Sequence, residues 1–207
     1  MIEANKERDV MTGDIPNAFI QAPMPEVREG EDRVIMKITG VLVDMLVEID
    51  PLVYGPYIVF ERGKKVIYVE LLLAIYGQSF SSYLWYLTLK KDLESIGFVF
   101  NPYDPCVANR IVNGKQQTVL FHVDDMKCSH VDENVNTKLA EWLQGRYGKH
   151  KKLEPQQGKK HEYLGMILDY SEKKKVKIDM RRYVADMLED FPVKLGEKDT
   201  SAYPAVE

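Results

Sequence analysis

The chain has 207 residues, and its 28 Lys and Arg against 32 Asp and Glu give a formal net charge of −4. This length fits one ordinary domain, and a composition of 45% hydrophobic and 29% charged residues excludes wholesale disorder and fibrous architectures. The two cysteines form neither a CxxC pair nor a disulfide framework, so we expect an intracellular, reducing compartment. The charged first residues do not resemble a signal or transit peptide, and no membrane partner is expected.

Short runs rich in β-branched and aromatic residues predict strands in the first two thirds of the chain. The predicted strands cover residues 33–38, 65–73, 106–111 and 118–121. Asn113-Gly114 lies between the last two and predicts a hairpin turn. The longest uncharged run, residues 71–89, is interrupted by Gly and Ser, which favours two buried elements joined by a polar turn.

Apolar residues recur with helical spacing in three segments. The predicted helices cover residues 81–97, 132–148 and 181–192. Ser81 or Ser82 is the predicted N-cap of the first helix, and Asp132 that of the second. We interpret each apolar stripe as core packing. Between the second and third helices, residues 162–180 alternate apolar and polar side chains around a charged turn, which predicts a hairpin.

The order of these elements indicates the fold class. Strands and helices follow one another without a regular βαβ alternation, which predicts an α+β fold. We expect an antiparallel sheet with helices packed on one face, followed by a C-terminal hairpin and helix. The sequence contains no glycine-rich loop of the kind that cradles nucleotide phosphates.

Charge is distributed unevenly along the chain. Residues 146–182 contain twelve basic and five acidic residues, a local charge of +7, which leaves −11 for the remainder. One interpretation is a solvated, lysine-rich surface. The other is a surface that follows nucleic-acid phosphates next to an acidic site that needs metal.

Aspartates in two distant segments are the candidate catalytic residues. Asp124 and Asp125 lie between apolar runs, at the predicted tip of a tight hairpin, where their repulsion must be offset by a cation or by protonation. Side chains alternate along a strand, and Asp124 is the one we expect to face the metal more directly. Asp14 precedes a short apolar segment and is the candidate partner. Aspartates holding two Mg²⁺ ions, or Mn²⁺ as a substitute, are typical of in-line phosphoryl transfer.

Two other sites remain open at this point. A transition metal would use His122, Asp124, Cys128 and His130, which lie within nine residues but lack a standard zinc spacing. A cyclase-like enzyme would use the same carboxylates with two metal ions.

Five sequence blocks stand out in chain order: Asp14-Ile15-Pro16-Asn17-Ala18-Phe19, Ala74-Ile75-Tyr76-Gly77 followed by Trp85-Tyr86, Pro102-Tyr103-Asp104-Pro105-Cys106, His122-Val123-Asp124-Asp125 and Tyr163-Leu164-Gly165. Together they resemble the motifs of copia-type retrotransposon reverse transcriptases. The blocks occur in the order of that family and lie within residues 9–192.

The resemblance implies a single polymerase palm domain over residues 1–207, with residues 193–207 as a tail. It implies an RNA-directed DNA polymerase with a metal-binding catalytic triad of Asp14, Asp124 and Asp125. Its partners would be an RNA/DNA template–primer, deoxynucleoside triphosphates and a parent polyprotein. The residues implied to contact the incoming nucleotide are Phe19, Tyr76 and Gly77, and those implied to lie near backbone phosphates are Lys159, Lys160, Lys173, Lys174 and Lys175.

The chain also departs from the family pattern. Gly77-Gln78-Ser79-Phe80-Ser81-Ser82 replaces the usual Gly-Leu-Lys-Gln-Ala-Pro, and His122 replaces an aromatic residue. Met1 lies 13 residues before Asp14, so the fingers that close over the triphosphate would be largely missing. The alternative hypothesis is therefore a truncated, non-catalytic retrotransposon remnant with at most weak nucleic-acid binding.

Overall fold

Alternating apolar and polar residues form antiparallel sheets in the computed structural model, which describes residue 3, residues 7–28, residue 30 and residues 32–191. The strands are β1 (Asp9–Asp14), β2 (Ile35–Thr39), β3 (Val59–Glu61), β4 (Lys64–Glu70), β5 (Val99–Phe100), β6 (Val107–Val112), β7 (Lys115–His122), β8 (Asp125–His130), β9 (Gln156–Gly158), β10 (Lys160–Tyr163), β11 (Met166–Asp169) and β12 (Lys177–Asp179). The α-helices are α1 (Val41–Ile49), α2 (Pro51–Tyr54), α3 (Ser81–Ser95), α4 (Glu133–Tyr147) and α5 (Arg181–Glu189). The predicted α+β class is confirmed.

The chain divides into two compact units. The first combines residues 1–15 and 99–207, and the second consists of residues 16–98. The single palm domain and the missing fingers inferred from the resemblance stay predictions, and the tail 193–207 lies outside the described residues. Within the described ranges, no helix is both long and apolar enough to span a bilayer.

A six-stranded antiparallel sheet forms the centre of the first unit. Its strand order is β5-β6-β7-β8-β1-β9. The predicted hairpin between β6 and β7 is confirmed, because Val112 pairs with Lys115 and both turn residues have a positive φ, 51° at Asn113 and 71° at Gly114. Asparagine and glycine tolerate this turn conformation, which matches the twist of the flanking strands.

Helix α4 packs against strands β1 and β8 of that sheet. The predicted cap is confirmed, since the Asp132 side chain accepts a hydrogen bond from the Asn134 backbone N–H at 3.0 Å. The buried residues of the helix recur every three or four positions, and Leu139, Leu143 and Tyr147 are each less than 4% exposed. Burying this apolar face fixes the helix on the two strands whose ends carry the candidate aspartates.

The C-terminal part of the first unit contains the three-stranded sheet β10-β11-β12 and helix α5. The predicted hairpin between residues 162 and 180 is confirmed by the pairing of β11 with β12. The interpretation of the third apolar stripe as core packing is wrong, because its residues are 41–53% exposed: Tyr183, Val184, Met187, Leu188 and Phe191. Helical periodicity reports that one face is apolar but not that another element covers it.

The second unit contains the sheet β2-β4-β3, the helices α1 and α2, and helix α3. Trp85, Leu89 and Leu93 of α3 are buried as predicted. The predicted serine cap is wrong, because Phe80 occupies the cap position without a side-chain hydrogen bond, while the Ser81 hydroxyl donates to the Ile75 carbonyl at 2.6 Å.

The uncharged run 71–89 also differs from its prediction. All of it is described, and α3 is its only helix or strand. Leu72 is 72% exposed in the irregular part before α3, so the prediction of two buried elements is wrong.

Candidate active site

The candidate aspartates meet at one end of the central strands of the first unit. Asp14 ends β1 and pairs with Asp125, the first residue of β8. On its other side, Asp125 pairs with His122, the last residue of β7. Directly opposed residues of an antiparallel pair project from the same face. Asp14, His122 and Asp125 therefore share one face of the sheet.

Asp124 lies in the two-residue turn that joins β7 to β8. Its carbonyl oxygen accepts a hydrogen bond from the Ile15 backbone N–H at 2.9 Å, which ties the turn to the end of β1. The other turn residue, Val123, has a φ of 56°. A β-branched residue is a genuine outlier in that region, and such outliers cluster at functional sites.

Burial and the neighbouring carboxylates perturb Asp14 and Asp125. Burial raises the pKa of Asp14, and the charges of Asp124 and Asp125, together with a side-chain hydrogen bond to Asp124, raise it further. Burial and the Asp124 charge also raise the pKa of Asp125, against an opposing effect of His122. The raised pKa values of Asp14 and Asp125 therefore reflect burial first and repulsion from the neighbouring carboxylates second.

The donor chemistry of this cluster suits Mg²⁺, which prefers carboxylate oxygens. Among the residues that the structure describes, no group of three His, Cys, Asp or Glu side chains could hold a metal ion by itself. Mg²⁺ is usually bound through one or two carboxylates plus substrate phosphates and waters. Asp14 and Asp124, which share a hydrogen bond, are the pair that fits this mode, with Asp125 adjacent.

The transition-metal hypothesis is wrong. Strand alternation places His122 and Asp125 on one face of the sheet and Cys128 and His130 on the other. The Cys128 Sγ lies 3.4 Å from the Asn136 Oδ1, and burial raises the pKa of the Cys128 thiol, which disfavours the thiolate that a metal would need. No metal-binding group of three side chains exists there among the described residues.

The predicted nucleotide-binding residues lie in the second unit. The rings of Phe19 and Tyr76 contact each other, with centroids 4.6 Å apart. Gly77 follows with a φ of 94°, a conformation that favours glycine. The structure thus brings Phe19 and Tyr76 together, and a role in nucleotide binding stays a prediction for all three.

The predicted phosphate-binding lysines gather at one end of the C-terminal sheet. Lys159 and Lys160 precede or begin β10, and the lysine run 173–175 lies in the loop between β11 and β12. The Tyr170 backbone N–H donates to the Lys159 carbonyl at 2.7 Å, which joins the two segments. Lys173 forms a salt bridge with Glu7 at 2.8 Å, and Lys160 forms one with Asp169 at 3.4 Å.

Sequence reasoning missed two residues next to the carboxylates. Lys151, in the segment after α4, lowers the pKa of Asp14. Burial raises the pKa of Tyr163 to about 12, and the Asp125 charge contributes to that shift. Tyr163 belongs to a recognised sequence block, but nothing in the spacing places either side chain beside an aspartate.

The comparisons with known proteins gave matches only among solved structures; no family model and no curated protein matches the chain. One match is apo telomerase from Candida tropicalis, at 14% identity and a TM-score of 0.44, covering 83% of this chain and 33% of that one. Telomerase from Candida albicans in complex with the TWJ fragment of telomeric RNA matches at 12% identity and a TM-score of 0.43, covering 83% and 31%. The chain thus spans about a third of the length of the structures it matches.

Proposed function

We propose that this chain is the palm of an RNA-directed DNA polymerase of the copia-type retrotransposon class, acting by two-metal nucleotidyl transfer. The observation that supports this proposal is the convergence of Asp14 with Asp124 and Asp125. Three carboxylates at the end of one sheet, with raised pKa values at Asp14 and Asp125, form a site that gains from bound divalent cations.

In this mechanism, Asp14 and Asp124 would hold Mg²⁺, or Mn²⁺ in its place, and Asp125 would complete the acidic triad. Two bound cations would activate the attacking primer hydroxyl and stabilise the leaving pyrophosphate. Lys151 lies near enough to Asp14 to lower the pKa of that carboxyl, so it adds positive charge where the triphosphate would bind.

The proposed partners follow from the same assignment. Template–primer phosphates would contact the lysines around the β11–β12 loop, and Phe19, Tyr76 and Gly77 would contact the incoming deoxynucleoside triphosphate. A parent polyprotein and an intracellular compartment belong to the same proposal.

A non-catalytic remnant is the second candidate, and one observation favours it. In the segment that departs from the family pattern, the Gln78 Oε1 accepts from the Ile75 backbone N–H at 3.2 Å and lies 3.1 Å from the Ser81 Oγ. These side chains stabilise a local turn and offer no positive charge to a triphosphate.

Primer extension with increasing Mg²⁺ tests the proposal directly. We expect wild-type protein to incorporate deoxynucleotides, Asp124→Asn to abolish incorporation, and Glu141→Gln, which removes an exposed carboxylate from α4, to leave it unchanged. Absence of incorporation at every Mg²⁺ and Mn²⁺ concentration would favour the remnant. Equal activity in the wild type and Asp124→Asn would reject the site.

A further inference from the structure

Helix α5 presents an exposed apolar face. None of its nine residues is buried, and an open groove of about 680 Å³ lies between this helix and strand β12. Six large apolar side chains along the helix and the groove are 40–55% exposed: Ile178, Met180, Val184, Met187, Leu188 and Phe191. Monomeric proteins rarely expose a continuous apolar surface of this size.

The length of α5 makes this exposure costly. A helix of nine residues is marginal in water by itself, because few hydrogen bonds offset the cost of nucleation. Short helices gain most of their stability by packing an apolar face on another element. Helix α4 packs its face on β1 and β8, whereas α5 buries none of its residues. The apolar face of α5 therefore needs a further element that packs on it.

The exposed area is close to what a stable dimer buries. Six half-exposed large side chains present on the order of 500 Å² of apolar surface. A standard protein interface buries roughly 800 Å² per partner, and roughly 65% of a homodimer interface is apolar. The face of α5 supplies that apolar share, and the charged residues around it can supply the rim.

Charge is arranged along α5 against its own dipole. Basic residues predominate at the N-terminal end and acidic residues at the C-terminal end. The first group, with a net charge of +2, is Lys177, Asp179, Arg181 and Arg182; the second, with −3, is Asp186, Glu189 and Asp190. The dipole favours acids in the first turn and bases in the last, and α5 has neither. An antiparallel copy of α5 would place opposite charges beside each other at both ends.

Ion pairs within the chain do not remove this polarity. Arg181 pairs with Asp179, and the Arg182 Nε lies 3.9 Å from the Asp186 Oδ2. After the hydrogen bonds from Arg181, the charge of Lys177 also lowers the pKa of Asp179. The basic end therefore keeps an excess of positive charge. By sequence, residues 192–207 add a net charge of −1, which does not reverse the polarity.

We propose that the groove between β12 and α5 binds helix α5 of a second copy of this chain, in an antiparallel twofold pair. Lys177 and Arg181 line the groove, where they would lie beside the partner's Glu189 and the partner's Asp190. The twofold axis repeats this contact at the other end, buries both apolar faces and closes the assembly at two copies. The pairing does not depend on the proposed polymerase activity.

Sedimentation equilibrium of the whole chain, from roughly 1 to 200 µM, tests self-association. We expect a monomer–dimer equilibrium with a micromolar dissociation constant, because the interface is small. Leu188→Lys should weaken the dimer about tenfold or more, since it places a charge in the apolar face. Leu87→Lys changes a leucine of similar exposure on α3 and should leave the dissociation constant unchanged. Circular dichroism should show both variants folded, because both positions are exposed.

Charge reversal tests the antiparallel arrangement. Lys177→Glu alone, and Glu189→Lys combined with Asp190→Lys, should each dimerise several-fold more weakly, because like charges then meet at both ends. An equimolar mixture of these two proteins should form a heterodimer about as stable as the wild-type dimer. Lys64→Glu reverses an exposed charge in the second unit and should neither weaken the dimer nor restore it in such a mixture. A parallel pair already opposes like charges, so the two variants would not weaken it.

Several results would overturn the proposal. One is a monomer at every concentration, whether the face stays open or residues 192–207 of the same chain cover it. Equal losses in Leu188→Lys and Leu87→Lys, or charge reversals without effect, would do the same. Asp124→Asn should dimerise like the wild type, which separates this result from the fate of the proposed polymerase site.

Discussion

Val123 combines a positive φ with a β-branched side chain immediately before Asp124. Glycine adopts this conformation readily, whereas for a residue with a Cβ the left-handed backbone conformation costs about 1–2 kcal/mol of conformational free energy. We therefore expect Val123→Gly to be about 1 kcal/mol more stable than Val123→Ala, measured as the free energy of unfolding in urea. At an ordinary strand position the alanine variant is more stable than the glycine variant. A more stable Val123→Ala would therefore show that residue 123 does not have a positive φ.

Asp14 carries a stability cost in the absence of metal. Its pKa is raised above the unfolded value by burial and then by Asp124 and Asp125, so the folded state binds its proton more tightly than the unfolded state does. The cost is present at neutral pH and disappears as the pH falls through the raised pKa. We expect Asp14→Asn to increase the free energy of unfolding at pH 7 by about 0.5 kcal/mol, the scale of an opposed like-charge pair.

Urea unfolding at pH 7 and near pH 3 checks this sign. The advantage of Asp14→Asn should vanish at the lower pH, and Mg²⁺ should stabilise the wild type but not the variant. Glu141→Gln, on the exposed face of α4, should be neutral under both conditions. A destabilised Asp14→Asn at pH 7 would mean that the carboxylate is satisfied by contacts within the protein.

Local sequence patterns were sufficient for some site residues and not for others. Apolar flanks around Asp124 predict a strand–turn–strand, because that pattern is determined within a few residues. The position of Lys151 beside Asp14 depends on where the segment after α4 returns to β1. That return is a tertiary feature which periodicity does not encode.

At the scale of elements, a buried polar network holds α4 to the sheet. Asn136 is fully buried; its Oδ1 accepts from the Gln117 Nε2 at 3.1 Å, and its Nδ2 donates to the Asp9 Oδ2 at 2.8 Å. Asn136→Ala removes both bonds and leaves the buried Gln117 Nε2 with only the Val135 carbonyl oxygen, at 3.4 Å, as its acceptor. We expect a loss of about 2–3 kcal/mol in the free energy of unfolding, against a near-neutral Lys138→Ala on the exposed face. A loss below 1 kcal/mol would mean that water replaces these bonds.

The turn between β10 and β11 requires glycine for two reasons. Gly165 has a φ of 73°, and a Cβ added there would lie 2.9 Å from the Tyr183 Cδ2 of helix α5. Gly165→Ala should therefore lower the free energy of unfolding by about 1–2 kcal/mol. In a Tyr183→Ala background, Gly165→Ala should cost less free energy of unfolding, because the contact between the added Cβ and the Tyr183 ring is absent. Equal costs in both backgrounds would assign the whole effect to backbone conformation.

The successes and failures of prediction at this scale have one physical basis. Asn113-Gly114 predicts its hairpin because turn geometry is imposed by the two residues themselves. The stripe on α5 predicts a helix correctly but not its burial, because periodicity describes the helix and not its neighbours. The prediction of Ser81 as the N-cap is wrong for a similar reason: its hydroxyl donates to the Ile75 carbonyl, a contact that the helical pattern does not encode.

At the scale of the whole molecule, the first unit is assembled from both ends of the described sequence. Strand β1 pairs with β8 and β9, so the sheet that presents the aspartates exists only when the N-terminal strand returns to the second half of the chain. The residues between β1 and β5 form a unit of their own. No Gly/Ser-rich or Pro-rich linker in the sequence marks the division between the two units. Long-range pairing of this kind is not visible in local sequence.

Under the proposed function, the lysines at the β11–β12 loop should determine how salt affects binding of an RNA/DNA template–primer. The chain carries −4 overall, so binding depends on where its positive charge lies. The triple variant Lys173→Gln, Lys174→Gln, Lys175→Gln should reduce the slope of log K against log salt by about 2–3, at about 0.9 per phosphate contact. Lys64→Gln, Lys65→Gln, Lys91→Gln removes the same charge from exposed positions of the second unit and should leave the slope nearly unchanged. Fluorescence anisotropy between 50 and 200 mM salt, roughly the range in which counterion release is large, measures both slopes. Equal reductions in the two variants would mean that binding responds to net charge alone, with no phosphate contacts localised to this loop.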